Sequence, residues 1–182
     1  MKILIVSDSH GNNVALRAAI SNEKPDMLIH LGDSEYSQSE IASWAGSPKT
    51  PCIFIKGNCD TYNADPSMVK NEAIFSLKGH KIYCTHGHFQ KVNYGLLTLS
   101  LTAEEHGCDI CMFGHTHVPY DSFGDAISEY NRYYESGFGA ATGPRILNPG
   151  SITLPRGGSK RGYMIMEMEE DGRYDVRYCL AD

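Results

Sequence analysis

The stretch Ile3-Leu4-Ile5-Val6-Ser7-Asp8-Ser9-His10-Gly11 decides how the rest of the chain reads. Four β-prone apolar residues in a row describe a strand buried on both faces, as at the centre of a parallel sheet. The apolar run stops at Asp8 and a helical pattern begins just after Gly11. An acid and a histidine therefore sit at the carboxyl end of a central strand, the edge where open α/β sheets bind ligands. With a strand period of two, Asp8 and His10 point the same way, and a carboxylate and an imidazole on one face can grip one metal ion. Taken alone, the pair also fits turn residues that cap a helix.

Further along, the same event recurs. Asn12 or Asn13 caps a first helix with Leu16, Ala19 and Ile20 on one face. Met27 to Leu31 form a second strand that ends in Gly32-Asp33, and a second helix falls within Gln38 to Ala45. Cys52 to Ile55 form a third strand, ending in Gly57-Asn58-Cys59-Asp60. This β-α-β-α-β order predicts a parallel sheet. Glu72 to Leu77 and Lys81 to Thr85 flank Lys78-Gly79-His80 as a hairpin, and the second arm ends in His86-Gly87-His88. A helix around Gly95 to His106 follows, with Leu97 and Leu101 one turn apart. Asp109 to Phe113 make another strand, ending in Gly114-His115-Thr116-His117. From Tyr120 to Pro144 the pattern becomes aromatic and aperiodic, with Tyr130, Tyr133, Tyr134 and Phe138. Tyr163 to Glu169 and Tyr174 to Leu180 close the chain as a hairpin.

Composition limits the possibilities. A length of 182 residues suits one domain with one core. Hydrophobic residues at 41 % against 21 % charged make it globular rather than disordered. A net charge of −6 with no basic block counts against a nucleic-acid backbone as partner. No run of about 18 apolar residues exists to span a membrane. The chain enters a strand at once without a signal-peptide pattern, so the expected compartment is the cytoplasm. The six scattered cysteines are accordingly expected as free thiols. Cys108 and Cys111 form one CxxC, half of a zinc clasp, and Cys111 falls in an apolar strand, so their expected role is structural.

Five strand ends thus carry Asp8 and His10, Asp33, Asn58, His86, and His115 with His117. His30, His80 and His106 occur outside any motif, so a single histidine means little. Five loaded strand ends are harder to explain by capping, and all seven residues are ligands for first-row metals.

In that order, Asp-x-His, Gly-Asp, Gly-Asn, Thr-His-Gly-His and Gly-His-x-His resemble the calcineurin-like metallophosphoesterase superfamily. Gly-Asn-Cys-Asp, Thr-His-Gly-His and Asn-Pro-Gly-Ser bring the chain nearest its small YfcE-like phosphodiesterase branch. The resemblance runs from Met1 to about Pro119 and again from Arg145 onward. It implies a four-layer α-β-β-α sandwich, a single domain over 1–182 with an insert at about 120–144. It also implies that Asp8, His10 and His117 hold one metal, that Asn58, His86 and His115 hold a second, and that Asp33 bridges them. The implied reaction is hydrolysis of a small phosphodiester by in-line attack of a metal-bridging hydroxide. Two cations can clamp the attacking and leaving oxygens of such a displacement. The family points to Mn; a mixed His, Asp and Asn set equally suits Ni, Fe or Zn.

Many members of the superfamily carry a histidine after the Gly-Asn, where it assists the leaving group. Here that position is Cys59, a poor proton donor at an ordinary thiol pKa of about 8.5. His88 is then expected either to supply the proton or to support the ligands. Two rival readings are a binding scaffold of the same fold, as in the retromer subunit, and a nuclease. The insert directly follows His117, so it is expected beside the site, covering substrate or making a homo-oligomer contact.

Overall fold

The computed structural model describes residues 1–60, 64–123 and 143–181. The expected strands and helices form, in the two sheets that the four-layer sandwich implies. The first sheet has strands β1 (Lys2–Val6), β2 (Met27–His30), β3 (Cys52–Ile55), β4 (Val69–Lys70), β10 (Gly162–Met168) and β11 (Tyr174–Leu180), in the order β11-β10-β1-β2-β3-β4. The second has β5 (Glu72–Leu77), β6 (His80–Thr85), β7 (Ile110–Met112), β8 (Pro119–Phe123) and β9 (Arg145–Pro149), in the order β5-β6-β7-β9-β8. β1, β2 and β3 pair in parallel, as do β6, β7 and β9. Each parallel set delivers its carboxyl ends to a common edge.

Strand β1 shows why four consecutive apolar residues were needed. Ile3 and Ile5 join Ile29, Leu31, Ile82, Cys84, Ile110 and Met112 in the core between the sheets. Leu4 and Val6, on the other face, pack with Leu16, Ala19 and Ile20 of helix α1 (Asn13–Glu23) and Ile41 of helix α2 (Gln38–Trp44). A third core packs helix α3 (Leu97–Glu105) on the outside of the second sheet. The layers therefore run helices, sheet, sheet, helix, as the four-layer α-β-β-α sandwich requires. Asn12 caps α1 and Ser37 caps α2 with their side-chain oxygens.

Two readings change. Helix α3 buries Leu99, Ser100 and Ala103, while Leu101 is exposed, so the Leu97 and Leu101 stripe is not its core face. The stretch from Tyr120 does not begin as irregular chain. Residues Pro119 to Phe123 are strand β8, antiparallel to β9 with Phe123 opposite Arg145. Tyr130, Tyr133, Tyr134 and Phe138 lie outside the described residues.

That strand also moves the anchor points of the insert. β8 carries the chain away from His117 to the opposite edge of the sheet. There Phe123, Gly143 and Arg145 line a cavity of ≈ 810 Å³ with His80, Asp109 and Tyr174. The stretch between Phe123 and Gly143 is thus tethered at both ends on the edge remote from the ligands. All six cysteines are free thiols, and Cys108 and Cys111 are both buried, in keeping with a structural role. No helix among the described residues is long and apolar enough to cross a membrane.

Candidate metal centre

The two sheet edges meet where the strand-end residues gather. β1 ends at Val6, so Asp8 and His10 do not share a strand face as the period of two had them. Both instead adopt left-handed backbone, at φ 56° and 45°, and that alternation brings His10 Nε2 to 4.0 Å from Asp8 Oδ1. Asp33, His115 and His117 are also left-handed, at φ 52°, 66° and 61°. For a residue with a Cβ this conformation costs roughly 1–2 kcal/mol. Five of the seven candidate ligands carry that strain, which surrounding bonds must hold in place. Among them, Asp8 N–H donates to Gly32 O and His10 N–H to Asp33 O, both at 3.0 Å, lacing the loop after β1 to the loop after β2.

The ring nitrogens define the chemistry. His117 Nδ1 donates to the Leu154 carbonyl at 2.6 Å, so its Nε2 presents a lone pair. That nitrogen faces Asp8 Oδ1 at 3.1 Å and His10 Nε2 at 3.3 Å. His10 Nδ1 meets Glu35 Oε1 at 2.6 Å, which leaves His10 Nε2 bare as well. Asp8 Oδ1 is buried and accepts no hydrogen bond. Three lone pairs thus converge with no donor between them.

A second cluster repeats the pattern. His86 Nδ1 donates to the Leu31 carbonyl at 2.7 Å, and its Nε2 faces Asn58 Oδ1 at 3.2 Å and Asp33 Oδ2 at 3.4 Å. Asp33 Oδ2 also lies 4.0 Å from His10 Nε2. It stands between the clusters, while Asp33 Oδ1 accepts from Cys59 N–H at 2.8 Å. Only Asp33 Oδ2 thus faces both clusters. His115 sits against His86, ring centroids 5.1 Å apart, with its backbone N–H on Asp8 Oδ2 at 3.2 Å. Asn93 Nδ2, which can only donate, meets its Nε2 at 2.9 Å, so in the neutral ring the Nε2 lone pair faces Asn93 and the proton falls on Nδ1.

Converging lone pairs repel unless a cation or a proton lies between them. Burial pushes His86 and His117 toward the neutral form. The carboxylates beside them, Asp33 and Asp8 for His86 and Asp8 for His117, outweigh it, and both are drawn above the ordinary histidine value. A divalent cation answers the same need, and the donor set of imidazole, carboxylate and amide oxygen suits a first-row metal. Ligand atoms of Asp8, His10 and His117, and likewise of Asp8, Asp33 and His86, lie within 4.8 Å of one another. The residues present fit the metals that the sequence implied.

Cys59 and His88 sit at the rim. The Cys59 thiol accepts from Asn58 Nδ2 at 3.2 Å, which keeps the Asn58 carbonyl turned to His86. Burial and the Asp33 charge push that thiol up to about 12. The His88 ring lies 5.4 Å from His86 and 6.1 Å from His115 and packs on Phe89 at 4.0 Å. Its Nδ1 is buried without a partner. Burial and the neighbouring His86 push His88 toward the neutral form.

Several positioning groups were not singled out from the sequence. Glu35 orients His10, and Asn93 orients His115. Asp60 is buried and accepts from Ser34 Oγ, Glu35 N–H and Gly57 N–H, pinning the loops after β2 and β3 together. Its presence in Gly-Asn-Cys-Asp was the available signal. The Leu31 and Leu154 carbonyls carry no side-chain signal at all.

Comparison with known proteins agrees with this geometry. The model described as calcineurin-like phosphoesterase superfamily domain matches residues 1–171. Probable metallophosphoesterase YsnB of Bacillus subtilis is 35 % identical over 173 residues, covering 94 % of this chain and 86 % of that protein. Phosphodiesterase YfcE of Escherichia coli K12 is 22 % identical over 186 residues, covering 92 % and 88 %. Among solved structures, a predicted phosphoesterase from Streptococcus pneumoniae TIGR4 superposes with a TM-score of 0.73 at 28 % identity, covering 98 % of this chain and 88 % of the other. Vacuolar Protein Sorting 29 from Cryptosporidium parvum shares the fold at a TM-score of 0.68 and 17 % identity, covering 100 % and 98 %.

Proposed function

This chain belongs to the calcineurin-like phosphoesterase superfamily, and from that premise we propose that it is a dinuclear metal-dependent phosphodiesterase acting on a small phosphodiester. The observation that carries the reading is the pair of lone-pair clusters, His10 and His117 against Asp8, and His86 against Asn58 and Asp33. Asp8, His10 and His117 would hold one cation, Asn58, His86 and His115 the other, and Asp33 Oδ2 would face both. Two such cations supply the clamp for the attacking and leaving oxygens of an in-line displacement and make a water acidic enough to attack. The Leu31 and Leu154 carbonyls keep His86 and His117 in the tautomers that present Nε2. Cys59 N–H holds Asp33, and the Cys59 thiol sets the Asn58 amide.

Chelation is expected to abolish hydrolysis of bis(4-nitrophenyl) phosphate, and Mn²⁺ to restore it best among Mn, Ni, Fe and Zn. Full activity in a thoroughly chelated sample, with metal content checked by mass spectrometry, would overturn the reading. Metal binding without hydrolysis of any diester would favour a binding scaffold. A nuclease would show itself by salt-dependent affinity for DNA.

The leaving group gives a sharper expectation. A thiol held at about 12 is a weak donor to a departing alkoxide. Without another acid the rate depends steeply on leaving-group pKa, favouring aryl over alkyl diesters and aryl diesters over aryl monoesters. Cys59→His is expected to raise the rate for poor leaving groups by about tenfold, near the low end of general-acid effects, and to leave metal content as it was. Plots of log rate against leaving-group pKa for the two proteins should converge toward good leaving groups. Parallel lines would remove residue 59 from proton transfer and leave His88 or solvent as the donor.

A further inference from the structure

The segment Leu154-Pro155-Arg156-Gly157-Gly158-Ser159-Lys160-Arg161 joins β9 to β10. β9 runs parallel to β7 and β10 antiparallel to β1, so the segment lies on the ligand edge. It is fastened to His117 three times. Leu154 O receives the His117 ring, Arg156 N–H donates to His117 O at 3.1 Å, and Ser159 Oγ donates to His117 O at 3.3 Å. Three cations stand on these eight residues, with no acid among them, in a chain of net charge −6. Arg156, Lys160 and Arg161 are all exposed, and no carboxylate among the described residues pairs with any of them.

Exposed cations on a loop tied to a candidate metal ligand are open to an anion arriving at that edge. The scissile phosphodiester carries one negative charge, and the proposed metal centre already answers it. We propose that Arg156, with Lys160 and Arg161, binds a second anionic group of the substrate, so that the preferred diester bears a phosphate or carboxylate on the portion that does not leave. This rests on the phosphodiesterase reading above. Arginine suits the task because its planar fork matches carboxylate and phosphate oxygens in pairs.

The test compares 4-nitrophenyl phenyl phosphate with the same diester carrying a carboxylate on the phenyl ring. Its binding arm uses the matching phosphonates, with a methylene in place of the scissile oxygen, titrated calorimetrically into the metal-loaded protein. The parent protein is expected to favour the carboxylated member about fivefold in KM and in affinity, the scale of a solvent-exposed charge pair. Arg156→Gln should erase that preference mainly through KM, and Arg156→Lys should keep part of it. Raised salt should weaken it. No preference in the parent protein would overturn the proposal. So would an equal loss on both ligands in Arg156→Gln, which would assign the arginine to the scissile phosphate or to support of His117. If neither ester is cleaved while the phosphonates still discriminate, the anion site stands and the catalytic reading falls.

Discussion

Asp33→Ala is expected to lower kcat/KM for an aryl phosphodiester by at least about 10³-fold, or roughly 4 kcal/mol of transition-state stabilisation. His10→Ala should cost less, about 10- to 100-fold. The difference follows from position. Asp33 Oδ2 faces His86 on one side and His10 on the other, so its loss removes an oxygen from both clusters at once. Asp33 Oδ1 also holds Cys59 N–H, and truncation leaves that donor unpaired beside Asn58. Loss of His10 removes one nitrogen from the Asp8 and His117 cluster and leaves His86 and Asn58 as they are, and Glu35 would remain there to orient water or a replacement ligand. The measurement is steady-state kinetics in saturating Mn²⁺ together with metal counted per chain. A variant Asp33→Ala that keeps both metals and more than a tenth of the rate would show that the carboxylate does not bridge.

The second large effect is expected at Gly57. A Cβ there would lie 2.7 Å from Asp33 Cγ and closer still to its Oδ1 and backbone nitrogen. The backbone nitrogen cannot swing aside and the carboxylate is held by Cys59 N–H, so the loop after β3 must move away from the loop after β2. Gly57→Ala is expected to destabilise the fold by about 3 kcal/mol, at the upper end of overpacking costs, and to lower Tm by roughly 6–12 °C. Activity should fall by about 10²-fold even where the protein is folded, since a displacement near 1 Å is enough. Gly79→Ala is the control. That turn residue has φ 87° and no atom within 4 Å of a new Cβ, so it should lose about 1 kcal/mol of stability and little activity. Equal behaviour of the two variants in thermal melts and assays would remove the steric argument.

Gly57 also marks a limit of reading from sequence. Gly32, at φ 105°, is glycine for a turn. Gly57 has an ordinary φ and is glycine because Asp33 passes so close, a tertiary fact that no local pattern carries. Where a strand run meets a polar cluster, the sequence was legible. The ends of β1, β2, β3, β6 and β7 are where the apolar runs stop, and the clusters that follow them converge. The local geometry was not legible. Left-handed backbone at Asp8 and His10 leaves only a weak mark in residue type, since Asp and His adopt it more often than most but still rarely, and a strand face was the simpler reading. Helix α3 was misread because Leu96, Leu97, Leu99 and Leu101 crowd one short segment and define no single stripe. β8 was missed because its paired residues are exposed or half-buried and its partner β9 lies beyond the insert.

Strand β8 has one more consequence. Phe123 and Arg145 are direct partners across β8 and β9, so the chain leaves and re-enters the sheet at neighbouring points. For a segment already closed this way, doubling its length costs only about 0.6 kcal/mol of closure entropy. The edge remote from the candidate ligands is thus a splice point. A peptide tag, a fluorescent reporter or a whole guest domain spliced between Phe123 and Arg145 would enter and leave the sheet at the end of the strands opposite the ligand loops.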